Sequence, residues 1–186
     1  DRDVATEAFK SGAFDLRAEN QSKRWATAYD FPALKEGKVK KILIPHERPT
    51  GMQGFVFNTR KNFFSDPKVR LAINYAWDFE WTNKTLMYNA YKRTNSYFSN
   101  SELSSSGRLP EGEELKILQK FKGQVPKQVF DEVYKAPQTD GSGNNRKNLR
   151  LALKLLREAG WTVKDGKLIN SKGIPFKFEL LIAYPS

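Results

Sequence analysis

NRKNLRLALKLLREAGWTVKDGKLIN, residues 145–170, decides what kind of fold this chain makes. Leu149, Ala152, Leu153, Leu156 and Ala159 recur at helical spacing, while Arg146, Arg150, Lys154 and Arg157 take the opposite side. That division predicts an amphipathic helix capped at Asn145 and ended by Gly160. The period then changes. Asp165-Gly166, set between two short runs, is the favoured two-residue hairpin turn, because both positions need positive φ. A strong helix running straight into a hairpin points to a mixed α/β or α+β body, not a bundle, propeller or repeat array.

Outward from this stretch the pattern stays mixed. IPFKFELLI, residues 174–182, alternates Phe176, Phe178, Leu180 and Ile182, which predicts another strand. VKKILIP (39–45) and MQGFVFNT (52–59) read as two more, the second largely buried through Phe55 and Phe57. VATEAFKSG predicts a first helix on Val4, Ala5, Ala8 and Phe9, closed by Gly12. Residues 20–32 predict a second, ending before Pro32 with Trp25, Ala28 and Tyr29 on one side. Asp66-Pro67 is a helix start, followed by Val69, Ala72, Ile73, Ala76 and Trp77 on one face. Further helices are expected from Thr82 (Leu86, Met87, Ala90), over 111–121 (Leu115, Leu118, Phe121) and, more weakly, in VPKQVFDEVY. Residues 91–110 are polar and serine-rich with no period, so they read as a long loop. PQTDGSGNN reads as a flexible connection.

Composition narrows the function. The chain has 186 residues, room for one domain or parts of two. Thirteen Phe, seven Tyr and four Trp supply buried area that an apolar fraction of 39% would otherwise lack. No run approaches the roughly 20 apolar residues that span a bilayer as a helix. With no Cys, disulfides and thiolate chemistry are excluded. The net charge of +11 raises nucleic acid or an anionic membrane as partners. Along the chain, however, the basic residues are scattered, with short clusters only at 38–41 and 146–150. No zinc-finger spacing, RNP-like stretch or basic zipper accompanies them, so the expectation is no nucleic-acid partner. The opening DRDVATEAF and the closing FELLIAYPS both read as cut ends, which predicts an internal fragment without a signal peptide.

Catalytic and metal chemistry find no support. His46 is the single histidine and sits beside Glu47 and Arg48 in a proline-bounded loop. Neither a metal set nor a catalytic residue is expected, and no cofactor. GxSxG, HExxH and Walker motifs do not occur. DGSGNNR (140–146) precedes a helix N-terminus, where an anion is physically possible, but the Lys-Ser or Lys-Thr of a nucleotide loop is missing. Glu111, Glu113 and Glu114 sit at a helix start, where negative charge meets free amides. Two groups remain. Trp25, Tyr29 and Phe31 cluster in one segment; Tyr91, Arg93, Ser96, Tyr97 and Phe98 in another. Aromatic faces with Arg and Ser suit an extended, chemically varied ligand such as a peptide.

GFVFNTRKNFFSDPKVRLAINYAWDFEW, YKRTNSYFSNSEL, LPEGEELKIL, PQTDGSGNNRKNLRLALKLLREAGW and LINSKGIPFKFELL together resemble the family 5 extracellular solute-binding proteins, and within them the YejA-like branch linked to oligopeptide and microcin C uptake. EAFKSGAFD adds to the likeness, which covers essentially the whole chain. The resemblance implies an α/β, periplasmic binding protein-like II fold, present in part. Residues 1–57 would close the first lobe, 58–60 would lie at the lobe crossover, and 61–186 would open the second ligand-binding lobe. It implies a monomeric receptor of the Gram-negative periplasm. Such a receptor binds an oligopeptide without altering it and hands it to an inner-membrane ABC permease driven by a cytoplasmic ATPase. The ligand-binding candidates on this reading are Trp25, Tyr29, Asn58, Arg60, Arg93, Ser96, Tyr97 and Phe98. The acidic residue that holds the peptide's amino terminus in related receptors would lie downstream of the strand matching 176–183, beyond this chain. Other cargoes on the same fold are a peptide-nucleotide antibiotic, a metal chelate or a sugar; a basic adaptor or nucleic-acid-binding module is the reading from a different class.

Overall fold

A computed structural model describes residues 1–105 and 107–182. The chain is a mixed α/β body whose contacts divide it into two compact units, one of 1–52 with 80–135 and one of 53–79 with 136–182. Its helices are α1 (Arg2–Lys10), α2 (Ser22–Thr27), α3 (Pro32–Lys35), α4 (Asn62–Ser65), α5 (Pro67–Ala76), α6 (Phe79–Leu86), α7 (Gly112–Gln119), α8 (Gln128–Asp131) and α9 (Arg146–Glu158). The strands are β1 (Trp161–Lys164) and β2 (Lys167–Asn170).

In the unit of 53–79 and 136–182, the core is built on α5 and α9. Asp66 caps α5 as expected, its carboxylate accepting from the Lys68 amide at 2.8 Å, with Pro67 in the first turn. Val69 is fully buried and forms the buried cluster with Phe64 and Trp161, and Ala72 on the same helix is nearly fully buried. Phe57, Phe63, Ile73, Leu156, Ala159, Leu168 and Phe176 pack against it. Many of these contacts are aromatic: Phe63 and Phe64 lie 4.6 Å apart between centroids, and Trp161 meets Phe176 edge-on at 4.9 Å. Such pairs contribute about 0.5–1.5 kcal/mol each beyond the area they bury. The hairpin forms as read. Asp165 and Gly166 both take positive φ, 50° and 73°, and Trp161 pairs with Asn170.

The buried face of α9 is turned from the expected one. Asn148 and Ala152 are buried and Leu155, Leu156 and Ala159 half-buried, whereas Leu149 and Leu153 are exposed. Asn148 tolerates burial because its Nδ2 donates to the Gln138 carbonyl at 3.0 Å. Asn145 stands at the N-cap position but does not cap α9 with its side chain. Its Nδ2 donates instead to the carbonyls of Tyr75 (3.1 Å) and Ala76 (3.3 Å), at the end of α5. The preceding connection is tied down by its own polar groups. Thr139 Oγ1 donates to Asp78 Oδ1 at 2.5 Å and accepts from the Gly141 amide at 3.1 Å.

In the unit of 1–52 and 80–135, α1 ends in a Schellman motif. Gly12, at φ 79°, donates to Phe9, and the Ala13 amide donates to Ala8 at 2.9 Å, so glycine's freedom at positive φ is used here. Val4 does not join the core; Thr6 is the buried residue of α1. Of the helix expected over 20–32 only Ser22–Thr27 forms, as α2, and Pro32 begins the separate α3, its fixed φ suiting the first helical position. Phe9 gathers Phe14, Tyr29 and Phe31 around it at 5.6–6.4 Å. Residues 91–110 hold no helix or strand among the described residues. α7 and α8 form close to where expected, with Phe121 left outside α7 and exposed. α6 starts at Phe79, ahead of the expected Thr82; in the other unit, the short α4 is an element the sequence pattern does not predict.

Three expected strands do not form. Residues 39–45 and 52–59 join no ladder, and 174–182 makes a single bridge, Ile169 to Pro175, with the Phe176 amide donating to Leu168 at 2.8 Å. The second of these is not largely buried, since Phe55 is exposed and Val56 is 96% exposed. Ile42, Leu43, Ile44, Leu180, Leu181 and Ile182 are exposed too. Alternation prepares a segment for pairing, but a strand exists only where a neighbour supplies hydrogen bonds. Among the described residues no such neighbour lies beside 39–45 or 52–59, and β2 reaches only the start of 174–182. Ala183, the last residue of the strand matched to related receptors, lies outside the described residues.

Candidate functional site

The candidates divide between the two units. Trp25, Tyr29, Arg93, Ser96, Tyr97 and Phe98 belong to the unit of 1–52 and 80–135; Asn58 and Arg60 belong to the other.

Trp25 and Tyr29 do come together. Their rings are 6.1 Å apart, one at each end of the last turn of α2 and its exit. Lys41 places its ammonium 4.4 Å from the Trp25 ring centroid and 5.8 Å from that of Tyr29, and also donates to the Trp25 carbonyl. This cation over two aromatic faces is a favourable electrostatic arrangement. Trp25 is half-buried and keeps part of its surface available. Tyr29 is buried, and its hydroxyl is engaged: it accepts from Arg17 Nε and donates to Glu19 Oε2, each at 3.1 Å.

Those bonds belong to a wider polar cluster that reading the sequence missed. Thr6 Oγ1 donates to the Arg2 carbonyl at 2.9 Å and accepts from Arg17 (3.0 Å) and Arg24 (3.1 Å). Arg24 also reaches Asp3 at 2.6 Å, and Arg17 pairs with Glu19 at 3.5 Å. Burial alone would raise the Glu19 carboxyl. The Gln21 amide, the Tyr29 hydroxyl and Arg17 outweigh it and hold Glu19 below its ordinary value. Burial pushes the Tyr29 hydroxyl up. The bond to Tyr29 raises Arg17, which therefore stays protonated. The available signal was the run of charges Arg17 and Glu19 between α1 and α2 with Arg24 on α2, but charge alternation of that kind is common on solvated surfaces.

Ser96 is buried and committed locally, its Oγ accepting from the amides of Phe98 and Ser105 at 3.2 Å. That turn presents Tyr97 and Phe98 outward; Tyr97 is 72% exposed. Arg93 is half-buried a few residues before. In the other unit, Asn58 Oδ1 accepts from the backbone amide (3.2 Å) and Nε (3.3 Å) of Arg60, so the two form one exposed polar corner. A separate hollow of about 480 Å³ opens beside α7 and α8, with Leu115, Val125 and Phe130 as its apolar part and Lys122 and Lys127 also lining it. Among the described residues, no group of three or more His, Asp or Glu is placed to hold a metal ion.

The family model described as "Bacterial extracellular solute-binding proteins, family 5 Middle" matches residues 1–186. The chain belongs to this family. Its members bind solutes outside the cytoplasm, and the mixed α/β elements described above agree with part of a periplasmic binding-protein-like fold. The chain is 49% identical to the "Probable peptide-binding protein YejA" of Agrobacterium fabrum, over 98% of its own length and 30% of the relative. It is also 49% identical to the "Uncharacterized protein y4wM" of Sinorhizobium fredii, over 100% of its length and 28% of that protein. A third relative, the "Peptidoglycan-binding protein YepA" of Agrobacterium fabrum, is 38% identical over 97% of the chain and 30% of its own length. The chain thus spans less than a third of these relatives.

Proposed function

We propose that the full-length protein is the substrate-binding component of a peptide importer. It captures short peptides in a cleft between two lobes and presents them to an inner-membrane permease powered by a cytoplasmic ATPase. The observation that carries this reading is the family match over the entire chain, together with 49% identity to a relative named as peptide-binding. On the family resemblance, 1–57 would close the first lobe, 58–60 would lie at the crossover and 61–186 would open the second lobe, a division along the sequence that differs from the two compact units. On the same reading the protein works in the periplasm as a monomer.

The candidate side chains fit such a ligand. Trp25, Tyr97 and Phe98 offer aromatic surface that accepts varied side chains, and Arg93, Asn58 and Arg60 offer donors for peptide carbonyls or a terminal carboxylate. Tyr29 and Ser96 would act by holding these neighbours in place, since both are buried and hydrogen-bonded within the fold. Lobe closure is a shift of population toward the liganded form, with no bond made or broken in the cargo. Titration calorimetry on the full-length protein tests the reading. Saturable binding of unmodified short peptides, little changed by salt, supports it; absence of binding to every peptide tried removes it.

One observation favours a narrower cargo. The relative named as peptidoglycan-binding is 38% identical over nearly the whole chain, so a peptide released from peptidoglycan is the second reading. A cell-wall stem peptide that binds at least tenfold tighter than an unmodified peptide of equal length would select it.

A further inference from the structure

Five of the 32 basic residues of the chain share one face of α9. Arg146, Lys147, Arg150, Lys154 and Arg157 occupy the side of α9 opposite its buried face, and all five are exposed. From Arg146 to Arg157 the stripe is about 16 Å long, at 1.5 Å of rise per residue. No ion pair neutralises any of the five among the described residues. The one acidic residue of α9, Glu158, is engaged by Lys68 of α5 at 3.3 Å, so the stripe has no internal counter-charge. The unit that carries it is itself basic: 53–79 and 136–182 hold thirteen Lys and Arg against six Asp and Glu.

We propose that this face of α9 is an electrostatic docking surface for an anionic lipid bilayer. Five unpaired cations along one ridge match a plane of headgroup phosphates, and each basic residue held near such a surface strengthens binding about fivefold. The flanks of the ridge select lipid over nucleic acid. Leu149 and Leu153, 44% and 38% exposed, lie along one border of the stripe, where a headgroup layer accepts apolar contact and a sugar-phosphate groove does not. No aromatic side chain stands on α9 to stack a base. The docking is independent of cargo and adds to the transport reading without requiring it.

Co-sedimentation of the full-length protein with vesicles tests this. Vesicles of phosphatidylcholine with roughly 30% phosphatidylglycerol should retain the protein at about 20 mM salt and release it at about 300 mM. Replacing Arg146, Arg150, Lys154 and Arg157 together by Gln should weaken that binding about 600-fold with unchanged circular dichroism. A second variant removes the same charge elsewhere: Lys164, Lys167, Lys172 and Lys177, all exposed, become Gln and should cost less than threefold. Three outcomes overturn the proposal: equal loss in the two variants, equal binding to pure phosphatidylcholine, or stripe-dependent binding to duplex DNA without binding to vesicles.

Discussion

Asn145 donates its side-chain amide to the carbonyl of Tyr75 at 3.1 Å, so the residue that opens α9 closes α5. Its second bond, to Ala76, completes the link between the two core helices of its unit. An ordinary N-cap would tolerate Asp. Here a carboxylate would face two carbonyl oxygens and offer no donor. Asn145→Ala should cost about 1–2 kcal/mol and Asn145→Asp at least as much, read from urea unfolding of the full-length protein. Wild-type stability in the Asp variant would show that the side chain caps α9 after all.

Glu19 makes part of the stability pH-dependent. Its carboxyl titrates lower in the folded protein than its reference value of 4.5, so its contribution is complete above that value and is lost as pH falls through the depressed one. The stability difference between wild type and Glu19→Gln should therefore be greatest near neutral pH and shrink on acidification below about 4.5. A difference that stays constant from pH 7 to pH 3 in denaturant titrations would mean that Glu19 has no such role.

Val69 is the most deeply packed side chain described, with none of its surface exposed. Val69→Ala should destabilise by about 2 kcal/mol, through lost burial and the cavity left among Phe64, Trp161 and their neighbours. Thermal unfolding checks this, and Leu149→Ala on the exposed side of α9 should change stability by less than about 0.5 kcal/mol.

Binding and stability should separate within the candidate site. Arg93→Ala and Tyr97→Ala are expected to weaken peptide binding about tenfold while leaving Tm nearly unchanged, since neither belongs to the buried core. Tyr29→Phe should do the reverse, lowering stability by about 1 kcal/mol through loss of the bonds to Arg17 and Glu19. Calorimetry and melting curves on the same samples distinguish the two behaviours; wild-type affinity in the Arg93 and Tyr97 variants would strike both from the site.

What could be read beforehand depended on how far each feature reached. Asp66-Pro67 and Asp165-Gly166 are local: a carboxylate two residues from a free amide, and a turn requiring positive φ, need no distant partner. The face of α9 was misjudged because hydrophobicity alone sets aside Asn148, which is buried through its bond to Gln138. Counting Asn148 with Ala152 and Leu155 turns the face toward its observed side. The runs around Val56 and Leu181 had the alternation of a strand and the run around Leu43 its apolar content, but pairing is a property of two segments and one segment cannot declare it. In the candidate site, the meeting of Trp25 with Tyr29 was legible from helical spacing. The engagement of Thr6 by Arg17 and Arg24, residues from separate elements, was not.

The ammonium of Lys41 resting on Trp25 turns that indole into an optical gauge. Indole emission responds to a charge held against the ring, so any event that lifts the 40–49 segment from α2 would alter the colour and yield of Trp25 fluorescence. With Trp77, Trp81 and Trp161 replaced by Phe, the protein would carry its own dye at that spot.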